Sequence, residues 1–420
     1  MMSMQNDNLP HVVVVGGGAA GMMAAGVALE GGACVTLFEG NDRLGRKLAI
    51  TGKGRCNLTN DCSAQEILQN VTRNARFLFA AMAACPPAEV MALVERLGVP
   101  LKTERGRRVF PVSDRAADIV SAFSRYCADA RIVHARVTDI LANEDGVYAV
   151  CAGNKEYKTD AVILATGGKS YPLTGSDGAG YRLAMRLGHT VTALAPSLVP
   201  ITSSDPGCAD MMGLSLKNVG LRILPAVGGK VLYEDFGEML FTHFGLSGPM
   251  VLSASAHLHG QNMTDLVAEI DMKPALDDKT LDARLCADFA KYANRDFANS
   301  LSDLLPAAMI PVAVRRTGID PHKKVHSVTR EERKRLASVI KRFRVTLDGF
   351  RPIEEAIVTS GGVEVKEVNP KTMESKLVKG LFFAGEILDV DAYTGGYNLQ
   401  IAFATGAAAG RHAAILHKEG

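Results

Sequence analysis

No C-x-x-C pair occurs among the eight cysteines of this 420-residue chain, at positions 34, 56, 62, 85, 127, 151, 208 and 286. That excludes the usual zinc-site and thioredoxin-type readings. Thiols scattered through a chain this long read as reduced and cytosolic. The polar N-terminus, MMSMQNDNLP, lacks a basic n-region, and no signal peptide is expected there. The charge-free run of 18 residues at 12–29 reaches transmembrane length, and glycines at 16, 17, 18 and 21 interrupt it. A strand, a turn and a helix explain that run better than a membrane anchor does. Tryptophan is absent, and there is neither an internal repeat nor a low-complexity linker. The formal net charge of +2 gives the whole molecule no strong electrostatic class.

What is present is glycine, with 41 residues, and apolar content, at 47%. That is ample for a large core, and the length suggests two or three domains. A composition rich in Gly, Ala and Val fits α/β folds with tight strand-to-helix turns. Charge is unevenly placed. Residues 311–351 carry 12 Lys/Arg against 4 Asp/Glu, a local +8 that leaves the remainder at −6.

Residues 11–40 read as strand, Gly turn, helix and strand, a βαβ unit of the expected length. Residues 64–100 have helical spacing, which Pro86 and Pro87 break into two helices. Strand patterns follow at 131–140 and 146–152, joined by the turn Glu144-Asp145-Gly146. DAVILATGG (160–168) is another buried strand, and 180–189 a short helix closed by Gly188. Residues 196–275 alternate like strands. Residues 277–345 return to helical spacing, with a capping box at Thr329-Arg330-Glu331-Glu332 and an apolar face of Leu336, Ile340 and Phe343. GLFFAGE (380–386) is again a buried strand, followed by a small-residue helix from GGYNLQ. The first domain is thus completed by the C-terminus.

Gly16-x-Gly18-x-x-Gly21 lies between a strand and a helix. Gly16 allows the tight turn, Gly18 lets a pyrophosphate approach the backbone, and Gly21 lets the helix pack on the strand. Glu39 ends the second strand, 23 residues after Gly16, placed for ribose hydroxyls and repelling a 2′-phosphate. Gly385-Glu386 resembles the second FAD-binding segment of two-dinucleotide-fold flavoproteins, where the acid binds the ribityl or pyrophosphate region. The helix begun by Gly396 would aim its N-terminal dipole at the flavin N1/O2 edge. Thr166-Gly167 within ATGG (165–168) matches the third common element.

The blocks GGGAAG, LGRKLAITGKGRCNLTN, GGKSYPLTGSDGAGY, MLFTHFGLSGP, VTSGGVEVKEVNPKTMESK and GLFFAGEILDVDAYTGGYNLQIAFATG run through residues 16–406. Through them the chain resembles the BaiN/RdsA-type (YhiN-like) FAD-dependent oxidoreductases. The resemblance implies an α/β fold: a two-dinucleotide-binding-type, Rossmann-like FAD domain with an inserted β-barrel-like domain and a small helical domain. The expected boundaries are 1–195 with 351–420 for the FAD domain, 196–275 with about 345–360 for the β-rich insert, and 276–344 for the helical insert. Ala20, Val137, Asn398 and Leu399 join the glycines, Glu39, Thr166 and Glu386 in the implied cofactor set. LGRKLAITGKGRCN would lie along FAD, with Arg46 and Lys47 on the pyrophosphate or ribityl chain and Gly52 and Gly54 against the isoalloxazine. Arg55 and Asn57 would hydrogen-bond the ring or a substrate carbonyl. Two departures stand out: Lys53 and Ala179 replace the glycine and aspartate of many relatives. Lys53 adds a cation near flavin or substrate, and Ala179 removes any role for an acid there.

The candidate catalytic residues are Arg55, Cys56, His243 and Tyr397. Cys56 and Cys62 are spaced C-x5-C, unlike the C-x4-C of flavin disulfide reductases, so a spectator thiol, a general-acid thiol and a redox pair all stay open. His243 is either a substrate-facing donor or a packed histidine, and Tyr393 and Tyr397 either donate to a carbonyl or pack. Histidines 11, 134, 257 and 322 carry no pattern. No metal site is expected. No second GxGxxG exists for NADH or NADPH, which would visit transiently as reductant. The implied chemistry is reduction of a C=C bond conjugated to a carbonyl. The family acts on a 3-oxo-Δ4 or Δ4,6 bile-acid ring in 7-dehydroxylation, or on uracil of 23S rRNA; a further label is aminoacetone-type amine oxidation. The basic helix 330–344 is either an RNA-facing patch or a solvated helix face. Its lack of aromatics for base stacking tips the reading to a small enone, a steroid acid.

Overall fold

The computed structural model describes residues 9–416; most of the N-terminal stretch read above for a signal peptide lies outside the described residues. The chain divides into two compact units. One is formed by the described residues up to Ser197 and from Ile353, the other by Leu198–Pro352.

The first unit is built on five parallel strands in the order Leu381–Phe383, Ala161–Leu164, His11–Val15, Cys34–Phe38, Arg131–Val133. Val12, Val13 and Val14 are fully buried at its centre, as a strand covered on both faces requires. The helix Ala19–Glu30 is apolar all round and almost wholly buried. It lies against the C-terminal helix Tyr397–Ala413, and glycine sets the spacing. A Cβ at Gly406 would sit 2.5 Å from Ala20 O, and one at Gly410 would sit 2.3 Å from Ala24 O. The C-terminus therefore completes the sheet and covers the first helix.

Two local patterns differ from the sequence reading. The 131–140 piece is two strands: Arg131–Val133 joins the parallel sheet, and Val137–Asn143 opens a separate antiparallel sheet with Gly146–Ala152 and Lys155–Lys158. Residues 64–100 form three helices, Ala64–Gln69, Phe79–Ala84 and Pro87–Arg96, with the strand Val71–Arg73 between the first two. Pro87 begins the last of them, where its missing N–H is harmless.

The second unit is a seven-stranded antiparallel sheet faced by the helices Asp278–Lys291, Ile310–Thr317 and Arg330–Lys341. The Thr329–Glu332 capping box forms, and Leu336 and Ile340 are fully buried. The expected partition into β-rich and helical inserts needs correction, because Leu281, Leu285, Val312, Leu336 and Ile340 share one core with sheet residues Leu221, Phe241, Ile270 and Phe343. Neither layer buries its apolar face alone. The 345–360 boundary also moves, since Val358–Ser360 pairs with Ala195–Ser197 of the first unit.

Candidate functional site

The site begins at the glycine turn. Gly16 has φ +106, and a Cβ there would lie 2.5 Å from Ala165 O. A Cβ at Gly21 would lie 1.8 Å from Gly16 O, so only glycine seats this helix so close to the strand. Gly18 is different: nothing lies within 4 Å of where its Cβ would be. The open concavity is bounded by the first-turn N–H groups of Ala19–Glu30, which have no side-chain cap. Glu39 closes one side. Its Oε2 accepts from Gly17 N at 2.9 Å, and its Oε1 accepts from Asn41 N at 2.8 Å and Asn41 Nδ2 at 2.6 Å. A carboxylate has about four lone-pair sites, so one is left on Oε2 for a hydroxyl. Thr166 Oγ1 is buried and has no hydrogen-bond partner among the described residues.

The 46–60 segment is mixed. Its first turn is helical; Thr51, Gly52 and Lys53 then leave helical geometry, and the backbone is left-handed at Gly52, Lys53, Gly54 and Cys56. The loop is latched to the start of the C-terminal helix. The Asn57 amide, oriented to satisfy both neighbours, accepts from Gly396 N at 3.0 Å and donates to Thr59 O at 3.1 Å. Thr59 Oγ1 donates to Gln400 Oε1 at 2.7 Å, and Asn60 Nδ2 donates to Gly395 O at 3.1 Å. A Cβ at Gly396 would be 2.4 Å from Thr59 O. Asn57 thus fixes the helix start rather than facing outward.

The two expected phosphate cations are engaged inside the protein. Lys47 Nζ donates to Glu386 Oε2 at 2.6 Å and to Ser170 Oγ at 2.7 Å. Glu386 Oε1 also accepts from Ser170 Oγ at 3.0 Å and Thr359 N at 2.9 Å, so one carboxylate ties four chain segments together. Arg46 Nη1 donates to Asn41 Oδ1 at 2.9 Å, which couples it to Glu39. Asn398 uses its whole amide on the backbone of Ala392 and Tyr393, orienting the turn before the helix. Gly167 and Gly385 take left-handed backbone in the turns that carry Thr166 and Glu386. Ala20 and Val137 are buried, and Leu399 is half-buried against the core.

Two candidate catalytic residues change role. Arg55 is held by ion pairs to Glu104 and Asp114 and lies 4.2 Å above the Phe110 ring, so its charge is already met within the protein. The Glu104 and Asp114 hydrogen bonds hold its pKa above the ordinary value. Cys56 is fully buried, and burial pushes its thiol up to about 12. It is therefore a protonated thiol at neutral pH, neither nucleophile nor ready acid. All eight cysteines are free. Tyr397 remains available: it is half-buried at the helix start, and burial raises its phenol pKa, so it stays a donor at neutral pH. His243 is exposed in the second unit, at the turn between Thr242 and Gly245, edge-on to Phe244 with centroids 5.0 Å apart. Sequence reasoning missed Asn41, Ser170, Thr359 and Gln400. Ser170, Thr359 and Gln400 have partners far along the chain, and no local pattern marks them; Asn41 bonds its sequence neighbours Glu39 and Arg46.

The basic stretch of the second unit is largely neutralised. Seven of its twelve cations sit in ion pairs: Arg315 with Asp210, Arg316 with Asp205, Lys323 with Glu332, Lys324 with Asp296, Arg333 with Asp282, Lys341 with Asp271 and Arg344 with Glu269. Arg335 Nε donates to Thr317 O at 3.1 Å, and Arg351 lies 4.7 Å above the Phe244 ring. Arg330 and Lys334 are exposed and make no ion pair among the described residues.

The open space at Gly18, beside uncapped helix N–H groups, and the remaining acceptor site on Glu39 are a donor and acceptor set that fits FAD. The HI0933-like protein Rossmann domain matches residues 10–412. The chain is 30% identical over 96% of its length to the 3-dehydro-bile acid delta(4,6)-reductase of Clostridium scindens, covering 99% of that protein. It is 30% identical over 96% of its length to the ribosomal RNA dihydrouridine synthase of Haemophilus influenzae, covering 97% of that protein. Among solved structures, the 3-ketosteroid delta1-dehydrogenase of Sterolibacterium denitrificans shares the fold, with a TM-score of 0.52 at 11% identity over 97% of this chain and 99% of the other. The chain therefore belongs to the HI0933-like family, whose Rossmann-type domain is that of FAD-binding oxidoreductases.

Proposed function

We propose that this protein reduces a C=C bond conjugated to a carbonyl, and that its substrate is a steroid acid with a 3-oxo-Δ4 or 3-oxo-Δ4,6 ring, as in bile-acid 7-dehydroxylation. NADH or NADPH is the transient reductant, and the reaction is cytoplasmic. Bound FAD supplies the two-electron chemistry. The chain holds it through the N–H groups of the 16–21 turn, the carboxylate of Glu39 and the helix start at Gly396. Asn57, Gln400 and Asn398 keep that helix start in place, so its N-terminal dipole is preorganised. Tyr397 Oη donates to the substrate carbonyl oxygen, on which negative charge develops. Arg55 and Cys56 are committed elsewhere.

The observation that carries the choice of substrate is the neutralised basic stretch. An RNA duplex or loop demands several uncompensated cations on one face; a steroid carboxylate needs one. A second reading, reduction of a uridine in 23S rRNA, is supported by Arg330 and Lys334, which lie one helical turn apart without ion pairs among the described residues. The test is turnover with NADH or NADPH of a 3-oxo-4,6-dienoic bile acid and, in parallel, of 23S rRNA fragments, with products weighed by mass spectrometry. A steroid two hydrogens heavier supports the proposal. Dihydrouridine without steroid reduction replaces it, and oxygen-dependent turnover of aminoacetone alone refutes the reductase reading.

A further inference from the structure

Three of the four cations in the 46–57 loop are engaged within the protein: Arg46 with Asn41, Lys47 with Glu386, and Arg55 with Glu104 and Asp114. Lys53 is the exception. It is exposed, and among the described residues it makes no ion pair and no side-chain hydrogen bond. Its backbone is left-handed at φ 60, between Gly52 at φ 57 and Gly54 at φ 83. Glycine adopts that conformation freely and lysine does not. The loop stands over the start of the C-terminal helix: a Cβ at Gly52 would be 2.9 Å from Asn57 N, and Asn57 itself binds Gly396 N at 3.0 Å. A long cation is thus kept, uncompensated and against backbone preference, beside the cradle. Among the described residues no side chain pairs with its charge, which leaves it open to an anion from outside.

We infer that Lys53 is the anion contact of the active site and pairs through Nζ with the carboxylate of an acidic substrate. The inference rests on the steroid-acid reading above. The other local source of anionic oxygen is the cofactor pyrophosphate, for which the N–H groups of the 16–21 turn are already placed.

Calorimetric titration of the FAD-loaded protein tests this, with a saturated 3-oxo bile acid and with its uncharged methyl ester. Lys53→Gly is expected to weaken the acid about fivefold, the scale of one partly solvated ion pair. Ester binding, FAD affinity and the melting temperature should not fall, because glycine relieves the backbone. Lys53→Arg should restore the preference for acid over ester. Unchanged acid binding, or equal losses for acid and ester, overturns the inference. So does a loss of FAD affinity, which would assign Lys53 to the cofactor phosphates. If the wild type binds neither acid nor ester, the steroid reading itself fails and takes this inference with it. If it binds both and Lys53→Gly changes neither, only the inference fails.

Discussion

The nucleotide cradle of the first unit and the basic stretch of the second are made of opposite materials. The cradle is backbone: at Gly16, Gly21, Gly396 and Gly406 an added Cβ would stand 1.8–2.5 Å from a neighbouring carbonyl oxygen. The basic stretch is long side chains, and seven of its twelve cations are met by acids of the same unit: Asp205, Asp210, Glu269, Asp271, Asp282, Asp296 and Glu332. Where side chains are missing, backbone packs directly on backbone, and at Gly18 the space is left open. Where charge is dense, the fold has consumed it. The difference teaches that a run of cations is not a surface potential until its partners are known, whereas a glycine that nothing else can replace marks a close approach.

The sharpest way to break the comparison is Gly21→Val. The Cβ would meet the Gly16 carbonyl oxygen at 1.8 Å, and backbone cannot step aside as a side-chain tip can. We expect about 3 kcal/mol of lost stability and protein purified without flavin, read by melting temperature and by the absorbance of bound cofactor. Full flavin content would show that the turn tolerates side chains after all. Tyr397→Phe removes the proposed donor and should lower kcat about 100-fold with little change in FAD content. An unchanged kcat would move that role to another group.

Glu269 tests the charged region. Burial pushes its carboxyl up, but the bonds from Arg222 and Arg344 outweigh that, and the net direction is down. A lowered carboxylate pKa contributes stability that is complete above the unfolded value of about 4.3 and is lost as pH falls through the folded value. Glu269→Gln should therefore cost about 1–3 kcal/mol at pH 7, a buried-pair penalty reduced by the exposure of both arginines. The gap to wild type should narrow in melts taken below pH 4. A gap that stays constant with pH would mean the ion pairs contribute nothing. The smallest effect is expected from Arg330→Ala with Lys334→Ala, which should leave steroid turnover within about twofold, because one small carboxylate does not need a run of exposed cations. A large loss on rRNA fragments, with its salt dependence reduced, would restore the nucleic-acid reading.

The βαβ unit at 11–39 was legible because each of its parts answers a local demand: β-branched residues for a buried strand, small residues for a close helix, an acid at the strand end. The Thr329–Glu332 cap was legible for the same reason. The 46–60 loop was not. Its left-handed turns are held by Gly396, Gln400 and Gly395, more than 300 residues away in sequence. Lys47 and Glu386 were both marked as cofactor residues, but nothing local says that they bond to each other across 339 positions. Arg55 was misread in the same way, since Glu104 and Asp114 are ordinary surface acids until the fold brings them to it.

One measurement tests the central claim most directly. The flavin-loaded protein is reduced anaerobically with NADH or NADPH while its absorbance is followed, and a 3-oxo-4,6-dienoic bile acid is then added in a single turnover. The account predicts that the flavin absorbance returns, with one equivalent of steroid two hydrogens heavier. Flavin that stays bleached with the steroid, yet recovers when a 23S rRNA fragment is added, would contradict it.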